Sequence, residues 1–237
     1  MTDAIASRVE GVLGELRALG KADALAGMAH YGIRSEGRFG VSVPNVRAVA
    51  RRFRRDHELA LALWGTGIGE ARILAAMVDD PAQVTLRQME RWAGDLDSWD
   101  VCDGLCSELL RKTPYAHQKA GEWSGRKKEF VKRAGFVLMA TLAVHDTAAA
   151  DAVFVGYLGI IEREAGDGRN FVKKAVNWAL RQIGKRNARL NREAVRAAER
   201  IRKQESSAAR WVAADALREL RSDAVQSRLA ARGKKRT

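Results

Sequence analysis

The sequence predicts an all-α fold, an α-α superhelix of HEAT-like helical repeats, and three observations predict it. Apolar residues recur at helical spacing along almost the whole 237-residue chain, while strand-like alternation is nearly absent. Only 3 prolines and 6% aromatic residues stand among abundant Ala, Leu, Arg and Glu, a composition that favours helices over a β sandwich. Weak internal similarity completes the set. Ala71-Arg72-Ile73-Leu74-Ala75-Ala76-Met77 echoes Arg133-Ala134-Gly135-Phe136-Val137-Leu138-Met139, and Arg210-Trp211-Val212-Ala213-Ala214 echoes both, the later copies at the roughly 40-residue period of HEAT-like units. In such an array one helix of each pair lines a concave face suited to an extended ligand. An irregular helical bundle is the alternative arrangement of the same helices.

The elements follow in order. Ile5, Val9, Val12, Leu13 and Leu16 make one apolar stripe and hence the first helix. Val46, Val49, Ala50 and Phe53 make another, with Pro44 near its start, where a missing N–H leaves no bond unmade. Ile73, Leu74 and Met77 mark the next, and Pro81 and Pro114 are each expected near a further helix start. Between those prolines, Trp99 to Asp103 reads as one helix. Lys127 to His145 and Arg169 to Asn187 are two longer ones, the second entered through the turn Gly166-Asp167-Gly168. About a dozen short helices result. They form a single HEAT-like repeat domain over residues 1–230, and residues 231–237, with Arg232-Gly233-Lys234-Lys235-Arg236, form a basic, disordered tail.

Charge narrows the function. The chain carries 42 Lys and Arg against 29 Asp and Glu, a net of +13, and its pI of about 10.2 is that of a nucleic-acid footprint. Cys102 and Cys106 lie one helical turn apart, where a strain-free disulfide does not form. With acidic residues among the first apolar positions and no run of membrane-span length, the expectation is a cytoplasmic protein without a membrane, nucleoid-associated when bound to DNA. The four histidines are dispersed, no zinc-ligand spacing appears and no glycine-rich phosphate loop is present, so neither metal nor cofactor is expected.

Against this positive background Ser98-Trp99-Asp100-Val101-Cys102-Asp103 stands out, because a spacing of four puts the Trp99 indole and the Asp103 carboxylate on one helix face. Asp100 is rotated about 100° away from Trp99. On the later helix, Lys174, Trp178, Arg181 and Lys185 fall at i, i+4, i+7 and i+11, a basic stripe with an aromatic in it, suited to phosphates and to a base or sugar. The competing reading makes Trp178 a core residue and the charges a solvated face. Arg133 is likewise either a ligand contact or the partner of an internal acid.

Four segments together resemble the AlkD-like DNA alkylation repair glycosylase family: Gly40-Val41-Ser42-Val43-Pro44-Asn45-Val46-Arg47, Glu70-Ala71-Arg72-Ile73-Leu74-Ala75, Trp99-Asp100-Val101-Cys102-Asp103 and Lys173-Lys174-Ala175-Val176-Asn177-Trp178-Ala179-Leu180-Arg181. The resemblance implies a HEAT-like superhelix that cups duplex DNA and removes alkylated purines as an N-glycosylase. It places the catalytic aspartate on Asp103, the substrate-binding residues on Trp99, Trp178 and Arg133, and leaves Lys174, Arg181 and Lys185 to the DNA backbone. The implied partner is double-stranded DNA with alkylated bases, met by a monomer that uses no cofactor. A HEAT-like module that binds damaged or branched DNA without cleaving it, and a scaffold for another protein, are the competing functions.

Overall fold

The computed structural model describes residues 2–234, which form fourteen α-helices, one 3-10 turn and no strand. The chain divides into two compact units, Met1–Tyr115 and Ala116–Thr237. Among the described residues no helix is long and apolar enough to cross a membrane.

The first unit holds α1 (Asp3–Ala18), α2 (Ala22–His30), α3 (Val43–Ala50), α4 (His57–Gly65), α5 (Gly69–Val78), α6 (Leu86–Gly94) and α7 (Trp99–Glu108), followed by a 3-10 turn at Leu110–Lys112. All five apolar positions of α1 are buried, as the 3.6-residue period requires of a helix with one face on a core. α5 packs between α3 and α7, while α4 covers α5 and α1. The Trp64 and Trp92 rings stack at 4.1 Å and 2°, joining α4 to α6, and the Trp64 indole N–H satisfies itself on Asp95 Oδ2 at 2.9 Å. Pro44 sits in the first turn of α3 as expected. Pro81 does not begin a helix: it lies in the turn after α5, and α6 starts where Thr85 accepts the Gln88 N–H at 3.1 Å, because a side-chain acceptor satisfies an orphan donor that proline cannot.

The second unit holds α8 (Ala116–Ser124), α9 (Glu129–His145), α10 (Asp151–Glu164), α11 (Asn170–Gly184), α12 (Ala188–Arg202), α13 (Ser207–Leu220) and α14 (Asp223–Lys234). Here the repeat is explicit. α9, α11 and α13 pack side by side in one layer and α8, α10, α12 and α14 in the other. The first-layer helices begin at Glu129, Asn170 and Ser207, 41 and 37 residues apart, which is the HEAT-like period. α9 is buried over most of its length. It meets α8 closely at Gly135, where a Cβ would fall 2.5 Å from the Ser124 backbone nitrogen. His117 clamps the outer side, between Asp146 Oδ2 at 2.8 Å and the Tyr157 hydroxyl at 2.7 Å.

Some boundaries differ from the sequence reading, and α9 starts at Glu129 and not at Lys127. α11 stops at Gly184, leaving Lys185 as its C-cap, and Asn187 belongs to the next helix, whose Leu190 N–H it accepts at 2.8 Å. α14 continues to Lys234, so the basic segment begins as helix, and residues 235–237 lie outside the described residues.

Candidate functional site

In the first unit the candidate site is built on the N-terminal end of α7. Ser98 is its N-cap in extended conformation and Trp99 its first helical residue. Asp103 follows one turn later on the same face, partly open to solvent, as is Trp99. The indole N–H donates to the Tyr31 carbonyl at 3.0 Å, which fixes the ring plane from the segment between α2 and α3.

That segment is itself anchored by charge. Arg38 Nη1 donates to Asp100 Oδ2 at 2.7 Å and Nη2 to Asp100 Oδ1 and Ser98 Oγ, both at 2.9 Å. Ser98 Oγ donates in turn to Asp100 Oδ1 at 2.6 Å. The pair is nearly dry, with 4% of the Arg38 side chain and 13% of Asp100 exposed. This bidentate geometry uses the planar fork of arginine fully. Arg38 can lie there because α5 starts with glycine: a Cβ on Gly69 would fall 2.5 Å from the guanidinium carbon. One residue on, buried Glu70 receives the backbone N–H groups of Phe39, Gly40 and Val41 on Oε1, at 3.2, 2.9 and 3.2 Å. Asp100 is therefore a structural carboxylate of α7, tied to Arg38 on a face turned about 100° from Trp99.

In the second unit Arg133 is buried on α9 and donates from Nη1 to the Phe171 carbonyl of α11 at 2.6 Å. Trp178 lies two turns further along α11, partly exposed, and Lys174 is exposed one turn before it. Between these, Asn177 reaches across to the Val212 carbonyl of α13 at 3.1 Å, joining neighbouring repeats. Arg181 and Lys185, the rest of the expected basic stripe, both pair with Glu219 of α13, Lys185 at 2.5 Å, and Arg181 also stands 3.7 Å from Asp215. Burial works against the Glu219 anion, yet hydrogen bonds from Lys185 and Arg181 hold its carboxyl below the usual range. Opposing charge therefore compensates the far end of the stripe, and Lys174 is its solvent-facing cation. Further along, Lys173 sits 4.8 Å over the ring of Trp211, which is 42% exposed.

The structure thus brings Trp99 and Asp103 together in the first unit, and sets Arg133 and Trp178 on adjacent helices of the second. Sequence reasoning missed Arg38, Tyr31 and the use of Glu70. The local signal was the glycine-rich Gly37-Arg38-Phe39-Gly40 segment, with Gly37 and Gly40 at positive φ; the partners stand some sixty residues away. Cys102 and Cys106 are buried and not joined in a disulfide, and among the described residues no group of three or more His, Cys, Asp or Glu is placed to hold a metal.

Comparison with known proteins agrees with this architecture. The family model for the DNA alkylation repair enzyme matches residues 12–220. The chain is also similar to a solved structure described as a new family of proteins related to the HEAT-like repeat DNA glycosylases with affinity for branched DNA structures. The two share 22% identity, with a TM-score of 0.74 over 89% of this chain and 94% of that one. No curated protein matches.

Proposed function

Because the chain belongs to the DNA alkylation repair enzyme family, we propose that it is a DNA N-glycosylase excising positively charged alkylated purines, of the 3-methyladenine and 7-methylguanine type, as the first step of base excision repair. The observation that carries this reading is the shared face of Trp99 and Asp103 at the start of α7, where both side chains are partly open to solvent.

The chemistry suits a single carboxylate. An N3- or N7-alkylated purine is already cationic, so the base departs neutral and needs no general acid. What remains is positive charge growing at the sugar. A fixed carboxylate near C1′ stabilises that oxocarbenium character and orients the attacking water, as one of the two carboxylates does in glycoside hydrolysis. Trp99 and Trp178 supply aromatic faces to the cationic nucleotide. Arg133, held on the Phe171 carbonyl, is the arginine assigned to a neighbouring phosphate. Lys174 takes a backbone phosphate directly, and Arg181 and Lys185 do so in exchange with Glu219. The protein acts as a monomer on duplex DNA, without a cofactor, in the cytoplasm.

The test is to incubate the protein with methylated duplex DNA and measure free 7-methylguanine and 3-methyladenine. Release above the spontaneous rate supports the glycosylase. Duplex or junction binding without release favours the second reading, a non-catalytic module for damaged or branched DNA, which the description of the similar solved structure brings to mind.

A further inference from the structure

The first unit carries a second cationic feature, away from Trp99. A cleft of about 720 Å³ opens at the C-terminal ends of α3 and α5, beside the 3-10 turn. Five cations and two acids line it, and both acids are engaged. Glu108 holds Arg47 at 2.7 Å. Asp79, with no side-chain exposure, holds His57 at 2.6 Å and Gln88 at 2.7 Å. Arg51 and Arg54, by contrast, are exposed and pair with no described acid. Three other surface arginines of this unit do meet an acid: Arg8 with Asp56, Arg34 with Glu36, Arg52 with Glu15. Lys112 adds to the crowding, its ammonium pulled below the ordinary range by desolvation and by Arg111 beside it.

The backbone holds these charges in place. Arg55 adopts φ 57°, a left-handed conformation that non-glycine residues rarely take, and the next N–H, of Asp56, is tied to the Val78 carbonyl at the end of α5 at 2.8 Å. An uncommon conformation kept by its surroundings is a pointer to use. Position separates the cleft from the candidate active site. Arg38, over Gly69 and paired with Asp100, pins the N-terminal ends of α5 and α7 together, so the cleft lies at the other end of the same layer. The length of α5 intervenes, about 15 Å for 10 residues at 1.5 Å each.

We propose that this cleft is a second phosphodiester-binding site of the first unit, in which Arg51, Arg54 and Lys112 hold nucleic-acid backbone outside the nucleotide that meets Trp99. The inference rests on the DNA-binding part of the reading above and not on excision. The backbone belongs either to the flank of the same duplex or to a second arm, and the chemistry of recognition is the same for both.

The test is fluorescence anisotropy of the full chain across a salt series, with a short linear duplex and a three-way junction as probes. The Arg51→Ala/Arg54→Ala double variant is compared with Arg192→Ala/Arg196→Ala, which removes the same charge from α12. The cleft variant should bind on the order of tenfold more weakly than the control, with a salt slope smaller by about 2, since each lost phosphate contact removes about 0.9. Loss on both probes assigns the flank of the same duplex, and loss on the junction alone assigns a second arm. If the two double variants bind alike on both probes, the arginines merely form the turn after α3 and the site does not exist. Failure of excision would appear in base release, which this measurement does not read.

Discussion

Asp100→Asn and Asp103→Asn are each one atom's change on the same helix, and they are predicted to fail in different ways. Asp100 is bound by both arms of Arg38 and by Ser98, with 4% and 13% of the two charged side chains exposed. Breaking a buried pair by removing one partner costs about 3–5 kcal/mol. Asparagine still accepts one of the two Arg38 bonds, which puts the loss near the lower figure, about 3 kcal/mol. At roughly 4 °C per kcal/mol for a unit of this size, the first unit should melt about 12 °C earlier. Asp103→Asn keeps the size and shape of the side chain and leaves the bidentate Arg38–Asp100 pair in place, so its melting loss should be smaller than that of Asp100→Asn. Loss of the Asp103 carboxylate instead removes a preorganised charge beside the developing sugar cation, about 3 kcal/mol of transition-state stabilisation, or roughly 150-fold in rate at 1.36 kcal/mol per decade. The assay is single-turnover release of 7-methylguanine, run well below the lower melting point, beside thermal unfolding of both variants. Asp103→Asn excising as fast as the parent would refute the carboxylate mechanism. A slow but fully stable Asp100→Asn would show that the roles of the two acids are reversed.

Lys174→Ala should weaken binding to every duplex sequence and lower the salt slope by about 1, whereas Glu219→Gln should tighten it by releasing Arg181 and Lys185; equal, null effects on salt titration would remove α11 from the interface. Stability should fall in acid. Hydrogen bonds from Arg169, against burial and helped by Lys132, hold the Asp167 carboxyl well below its usual range. A depressed carboxyl contributes fully above its unfolded value of about 4 and loses that contribution as pH drops through the folded one. Urea midpoints at pH 7 and pH 3 should therefore converge in Asp167→Asn, and an unchanged difference would exclude Asp167 as a source. Trp99→Phe removes the indole bond to Tyr31 and should cost about 1 kcal/mol, with base release falling more than stability; urea unfolding and release assays check both.

What the sequence determined by itself is whatever depends on neighbours within a few residues. The stripe Ile5, Val9, Val12, Leu13 and Leu16 reports a helix because burial acts on one face of a 3.6-residue spiral. The echo between segments of α9 and α13, two repeats apart, was legible for the same reason, since each repeat must bury a similar face. So was the Trp99 and Asp103 face, which needs only the helix geometry. Pairings between distant segments were not legible. Nothing local says that Arg38 will meet Asp100 across 62 positions, or that Arg181 and Lys185 will share Glu219 across 38 and 34. A charged residue reads the same in sequence whether water or a carboxylate surrounds it, and only packing decides which. Tertiary structure therefore settled that Asp100 is tied to Arg38 and that Arg181 and Lys185 are compensated by Glu219. It also settled where proline stops mattering, since the start of α6 is chosen by the Thr85 oxygen and not by Pro81.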